Sequence, residues 1–288
     1  ICVFAKLWAL PVLRFYCNLL ARLNCAAGSD MKTAVFLLSL ILVISCQCSA
    51  EHDNTSGITG NNPAQVYPEV LSVIPHDSTA FTQGLFFHDG KLYESTGLYN
   101  QSSLRILDTL GTVLKKTDVP QVFAEGIALF ENNLFQLTWQ NQFAIVYTFP
   151  DLKSKGTVSY KGEGWGLTNN KSSLIMSNGT DTLYFMNSRF EINKRLAVTC
   201  KGKPLTNLNE LEYASGKIYA NVWYNDYIFE ISPQSGAAVR IIDCSQIVAR
   251  EKPSSDECVL NGIACADSQN TFYITGKNWK HIYKIKID

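Results

Sequence analysis

One pattern constrains this chain more than any other: a short strand-like segment that returns five times. Gln83-Gly84-Leu85, Glu125-Gly126-Ile127, Trp165-Gly166-Leu167, Asn209-Glu210-Leu211 and Asn261-Gly262-Ile263 begin 42, 40, 44 and 52 residues apart. A second apolar run follows each of them, at Lys91 to Thr96, Asn133 to Thr138, Ser173 to Asn178, Lys217 to Val222 and Thr271 to Gly276. These runs lead to Gly97, Trp139, Gly179, Trp223 and Lys277, 14 residues past the first mark in four repeats and 16 in the fifth. β-Branched and aromatic residues dominate, and short breaks such as Asp89-Gly90 and Ser215-Gly216 separate the runs. Third and fourth runs follow in most repeats. Four short strands at a period of about 40–50 residues describe a propeller blade. The sequence therefore predicts an all-β, five-bladed β-propeller; a sandwich would not repeat this way, and a β-helix has a shorter period. The fifth repeat has only three strands, and Glu69 to Ile74 has no other partner. This N-terminal strand is expected to close the last blade and cover its edge.

Ahead of the repeats, Met31-Lys32-Thr33, an apolar stretch from Ala34 to Ser45 and the small residues up to Ala50 read as a signal peptide over residues 31–50. Its apolar core is shorter than the roughly 18 residues of a membrane span. Residues 1–30 read as a leader outside the mature protein, residues 51–66 as a flexible linker, and residues 67–288 as the propeller. The expected location is outside the cell or in the secretory lumen, with no stable membrane anchor. The chain carries 25 cationic and 25 anionic side chains. Lys6, Arg14, Arg22 and Lys32 precede residue 50 against Asp30 alone, so the remainder is mildly acidic and has no attraction for nucleic acid. The cysteines past Ala50 are Cys200, Cys244, Cys258 and Cys265, which allow three pairings. Cys244 and Cys258 bracket a polar loop and are the expected disulfide, leaving Cys200 and Cys265 free. Asn54, Asn100, Asn170 and Asn178 stand in glycosylation sequons.

Equivalent positions in a propeller converge at one channel mouth. Were the repeat purely structural, they would resemble one another. Instead the two marks bring together Gln83, Glu125, Trp165, Asn209, Asn261, Gly97, Trp139, Gly179, Trp223 and Lys277. Apolar walls with a few polar groups make a binding site. Tryptophan is common in propeller cores and asparagine at turns, but an acid among apolar neighbours, as in Phe123-Ala124-Glu125-Gly126-Ile127, is rarely buried without a partner or a purpose. His52, His76, His88 and His281 are scattered and no C-x-x-C occurs past residue 50, which gives little support to a zinc site. There is no G-x-S-x-G, and Gly162-Glu163-Gly164-Trp165-Gly166 precedes a strand rather than a helix, so it is not a phosphate loop.

Phe81-Thr82-Gln83-Gly84-Leu85, Phe123-Ala124-Glu125-Gly126, Gly164-Trp165-Gly166-Leu167, Leu208-Asn209-Glu210-Leu211-Glu212 and Val259-Leu260-Asn261-Gly262-Ile263-Ala264, in that order, resemble the plant- and bacterial-type glutaminyl cyclases. The likeness runs from about Tyr67 to the C-terminus. It implies a five-bladed propeller, unrelated to the zinc-dependent glutaminyl cyclases of animals. The substrate it implies is a peptide or protein with N-terminal glutamine, closed to pyroglutamate with loss of ammonia. The family's active-site residues fall here on Phe81, Gln83, Glu125, Trp139, Trp165, Asn209, Trp223 and Lys277, with Glu125 the expected proton carrier and the others binding substrate. The chemistry so implied needs no cofactor, although a structural calcium in the central channel belongs to the same resemblance, without assignable ligands. Asn261 is expected to be structural. Two other readings of the residues stay open: a non-catalytic propeller that binds a peptide or sugar at the mouth, and a metal-dependent, lactonase-like propeller.

Overall fold

The computed structural model describes residues 62–267 and 269–288. The expected leader and signal peptide, the start of the linker and the sequon at Asn54 lie outside the described residues. Five sheets follow the five repeats. Blade 1 consists of Thr82–His88, Lys91–Thr96, Ser103–Leu107 and Val113–Asp118, paired in chain order from the axis outward. Blade 2 repeats this with Ala124–Phe130, Asn133–Thr138, Phe143–Thr148 and Ser154–Ser159. Blade 3 has short inner strands, Leu167–Asn169 and Leu174–Met176, before Thr182–Met186 and Ile192–Ala197. Blade 4 is built from Leu208–Ala214, Lys217–Val222, Tyr227–Ile231 and Ala238–Asp243. Blade 5 takes Leu260–Cys265, Thr271–Gly276 and His281–Lys286 from the C-terminal end. Its outer strand is Glu69–Pro75, antiparallel to His281–Lys286, as the sequence predicts.

Each gap between neighbouring blades holds its own apolar cluster. Leu104, Ile127 and Leu134 fill the gap between blades 1 and 2, and Leu137, Leu167 and Met186 the next. Phe185, Leu211 and Phe229 lie between blades 3 and 4, and Tyr219, Ile263 and Phe272 between blades 4 and 5. Ile74, Leu85 and Tyr273 complete the ring. A fully buried side chain of this size contributes about 1.5–3 kcal/mol, so the ring is held by its gaps.

The seam between the last blade and the first carries a charged clasp as well. His76 follows the closing strand, and its Nε2 meets Glu94 Oε1 of blade 1 at 2.8 Å. Its Nδ1 lies 3.0 Å from the Trp279 carbonyl of blade 5. Glu94 also accepts the Thr82 hydroxyl at 2.7 Å and faces Arg105 Nη1 at 3.8 Å, while Arg105 pairs with Asp77 at 3.0 Å. Although burial works against both charges, each stabilises the other: the His76 imidazolium is raised and the Glu94 carboxyl lowered from their ordinary values.

Three expectations are corrected here. Residues 64–66 are not linker: Ala64–Val66 runs parallel to Arg240–Ile242 and adds a fifth strand to blade 4. The open edge of Ala238–Asp243 supplies the backbone partners, and Gln65 Nε2 donates to Asp243 Oδ2 at 2.8 Å. Nor is the chain after Cys244 simply a polar loop, since it opens with helix α1 (Ser245–Glu251). Asp243 Oδ1 accepts from the Ser245 backbone N–H and hydroxyl, Ile247 is buried between blades 4 and 5, and Glu251 holds the helix end to blade 5 through Tyr283, His281 and the Lys280 N–H. Finally, the Cys244–Cys258 disulfide is not formed, and all four cysteines past residue 50 are free thiols. Cys244 sits at the start of α1 inside an apolar cluster, whereas the Cys258 thiol is engaged by the Ser254 and Ser255 hydroxyls. Among the described residues, no helix is long and apolar enough to cross a membrane.

Candidate active site

Two features of the backbone aim side chains at the channel mouth. In blades 1, 2, 4 and 5 the pairing of the two inner strands shifts register at the first mark: between Thr82 and Gly84, Ala124 and Ile127, Leu208 and Leu211, and Leu260 and Ile263. Such bulges insert residues without a cross-strand partner and re-aim their side chains. They are what turns Gln83, Glu125 and Asn209 towards the mouth. Second, in blades 1, 2, 4 and 5 the residue just after the second strand donates its N–H to the residue two before the first mark: Gly97 to Phe81 at 2.8 Å, Trp139 to Phe123 at 2.9 Å, Trp223 to Asn207 at 2.9 Å and Lys277 to Val259 at 2.9 Å. In blades 1, 2 and 4 the 14-residue interval seen in the sequence is this closed hairpin; in blade 3 the Gly179 N–H instead meets the Leu208 carbonyl at 3.2 Å.

All eight residues expected at the site line one cavity of about 310 Å³: Phe81, Gln83, Glu125, Trp139, Trp165, Asn209, Trp223 and Lys277. Leu98, Phe123 and Glu257 also line it and were not singled out from sequence. The aromatic walls brace one another. Phe123 is edge-on to Phe81 and Trp139, and Trp165 to Trp223, with centroids 5.5–6.1 Å apart. The two glycines of the second mark make room for rings. A Cβ at Gly97 would stand 2.4 Å from Phe123, and one at Gly179 (φ +79°) 2.7 Å from Trp165.

Few polar groups face this apolar space. Glu125 is 4% exposed, and burial drives its carboxyl well above the ordinary range. The nearby Lys277 ammonium and Gln83 amide pull it down again, while the Glu163 charge pushes it further up. Lys277 is 4% exposed, its ammonium lowered by the same burial and supported by Glu125 and Glu257. Its Nζ lies 4.8 Å from the Phe81 ring centre and 5.7 Å from that of Trp223. Asn261, buried behind the mouth, donates to Gln83 Oε1 at 3.1 Å and to the Thr82 carbonyl at 2.9 Å, so it orients Gln83 as a support. Two groups lining the cavity are buried without a partner: the acceptor Asn209 Oδ1 and the donor Trp223 Nε1. Unpaired buried groups are expensive unless something binds them.

In blade 4 the position that is glycine in the other first marks is Glu210. Its carboxylate spans the channel to the N–H groups of Leu85 at 3.2 Å and Ile263 at 2.9 Å. Glu212, pushed up to about 7 by burial, takes the Cys265 N–H and the Thr168 hydroxyl. Calcium wants six to eight oxygens. Both channel carboxylates are already occupied by donors, and among the described residues no three His, Cys, Asp or Glu side chains stand together as a metal cage. His76, His88 and His281 are engaged elsewhere, with Glu94, Asp89 and Glu251. Of the sequons, Asn100 is exposed, whereas Asn170 and Asn178 are half-buried and accept bonds within their own turns.

With the geometry in place, three comparisons bear on it. The family model for glutamine cyclotransferase matches residues 38–287. Glutaminyl-peptide cyclotransferase of Arabidopsis thaliana is 37% identical over 228 residues, covering 76% of this chain and 71% of that protein. The crystal structure of Myxococcus xanthus glutaminyl cyclase superposes with a TM-score of 0.74 at 34% identity, covering 79% of this chain and 99% of that one.

Proposed function

This chain belongs to the glutamine cyclotransferase family, and we propose that it converts N-terminal glutamine of peptides to pyroglutamate at the cavity described above, with Glu125 as the proton carrier. The observation that carries the assignment is a buried carboxyl with a raised pKa inside an aromatic box that has one cation and unpaired polar groups for ligand. In the reaction the substrate's α-amine nitrogen bonds to its own side-chain amide carbon, and the bond from that carbon to the amide nitrogen breaks. Ammonia leaves, and the proton lost by the amine is the one the departing nitrogen gains. One carboxyl can perform both transfers in turn. Lys277 stands where it can stabilise the negative oxygen of the tetrahedral intermediate. Asn209 Oδ1 suits the substrate's amine, and Trp223 Nε1 a peptide carbonyl. The indole walls hold the side chain folded for attack and exclude water.

The test compares a Gln-initiated peptide with its N-acetylated form. Ammonia release from the first alone, undiminished by chelator, is expected. Equal release from both would mean amide hydrolysis, and loss of release in chelator with recovery on adding zinc would mean metal chemistry. Gly179→Ala supplies a second check, because its Cβ meets the Trp165 ring and its φ is left-handed. A displacement of about 1 Å at a reacting site can cost about 100-fold, and a fall of about 10- to 100-fold in kcat/KM is expected. Wild-type kinetics in a folded Gly179→Ala protein would show that this wall does not position substrate. Export and glycosylation at Asn100 belong to the same proposal. A mass decrease of the exported protein on enzymatic deglycosylation, smaller in Asn100→Gln than in wild type, is the result that would support them.

A further inference from the structure

Glu163 sits between Gly162 and Gly164 on the segment that enters blade 3. Its Oε2 accepts the indole N–H of Trp139 at 2.9 Å and that of Trp165 at 3.0 Å, and its Oε1 accepts the Gln140 amide at 3.2 Å. The two indoles come from different blades: Trp139 follows the second strand of blade 2, and Trp165 occupies the first mark of blade 3. The turn fits this purpose. Gly164 donates its N–H to the Trp139 carbonyl at 3.2 Å, and a Cβ at Gly164 would stand 2.6 Å from the Tyr160 hydroxyl.

We propose that Glu163 is a positioning residue for the reaction: one carboxylate oxygen ties two walls of the cavity together and leaves Trp223 as the wall indole whose N–H is free for substrate. This inference rests on the reading of the cavity as the site of cyclisation. Trp139 and Trp165 are half-buried, and an indole there that loses its acceptor can turn its ring to find another. Two charge-assisted bonds to a single oxygen fix both rings at once. The contrast lies within the cavity, since the Trp223 N–H is buried and unpartnered.

The same charge acts on Glu125. The groups facing Glu125 are Gln83 from blade 1, Lys277 from blade 5, Glu163 from the entry to blade 3 and Tyr160 from the end of blade 2, with Glu257 on the rim. Lys277 and Gln83 favour the carboxylate; Glu163 opposes it. Removing the charge of Glu163 therefore lowers the pKa of Glu125.

Two variants test the proposal. In Glu163→Ala, with 15N-labelled tryptophan, the indole N–H resonances of Trp139 and Trp165 are expected to move upfield while that of Trp223 stays, and kcat/KM is expected to fall about 10- to 100-fold. In Glu163→Gln, which keeps an acceptor oxygen, the loss should be smaller. The limb of the kcat/KM profile that does not follow the substrate amine should shift to lower pH. The indole resonances report the clamp whether or not Glu125 carries the proton, a question that Glu125→Gln decides separately. Unmoved Trp139 and Trp165 resonances in Glu163→Ala would overturn the proposal, as would an unmoved limb in Glu163→Gln. If the alanine variant does not fold, the glutamine variant, read by both resonances and limb, decides alone.

Discussion

Replacing Glu125 by glutamine is expected to lower turnover by about 10²- to 10⁴-fold, the usual loss when a general acid–base group is removed. The change keeps the shape of the side chain and its ability to hydrogen-bond with Gln83, but it cannot take up and return a proton. Binding of a Gln-initiated peptide should remain close to wild type, because walls and cation are untouched. Stability separates this outcome from a folding defect. The raised pKa of Glu125 makes its carboxylate a cost to folding that appears as pH rises above the unfolded value, about 4.3, towards the folded one. Glutamine escapes that cost, so Glu125→Gln should be at least as stable as wild type at neutral pH. A well-folded variant retaining a third or more of wild-type turnover would move the proton transfer to another residue.

Glu94→Gln is expected to have the largest effect on stability. Glu94 is fully buried and faces His76 and Arg105, both at least nine-tenths buried. Removing one partner of a buried ion pair strands the other and costs about 3–5 kcal/mol. The pH dependence of that loss follows from the direction of both shifts. His76 has a raised pKa, so its contribution is complete below the unfolded value of about 6.5 and disappears as pH rises through the folded one. Glu94 has a lowered pKa, so its contribution is complete above about 4.3 and disappears as pH falls through the folded value. The gap between wild type and Glu94→Gln in urea unfolding should therefore be widest at mildly acid pH and narrow in alkali. A gap under about 1 kcal/mol at its widest would show that the clasp does not hold the seam.

The repeat was legible because each blade must solve the same two problems: an apolar face for each gap, and a hairpin that returns the chain to the axis. Seven of the eight site residues stand at the two marks, where positions that symmetry would make alike differ, whereas Phe81 lies outside both and was implied by the family resemblance alone. What escaped has physical causes too. Glu163 lies two residues before a mark, and nothing in Gly-Glu-Gly says that its carboxylate bridges indoles from two blades. Ala64–Val66 is too short for any periodicity, and its partner edge is 174 or more residues away in sequence. Helix α1 is seven residues long, two turns at most, and its apolar Ile247 and Val248 do not make a 3.6-residue period. The disulfide expectation failed because bracketing a polar segment says nothing about where two thiols point.

The decisive property is the protonation of Glu125 itself, measured by infrared difference titration of wild type against Glu125→Gln, following the carboxyl C=O band that only the wild type carries. The band of the protonated acid should persist to well above pH about 4.3 and yield to carboxylate at higher pH. A band that titrates at or below the ordinary glutamate value would contradict the role given to this residue, because the carboxylate of so strong an acid is too weak a base to take the proton of the substrate amine.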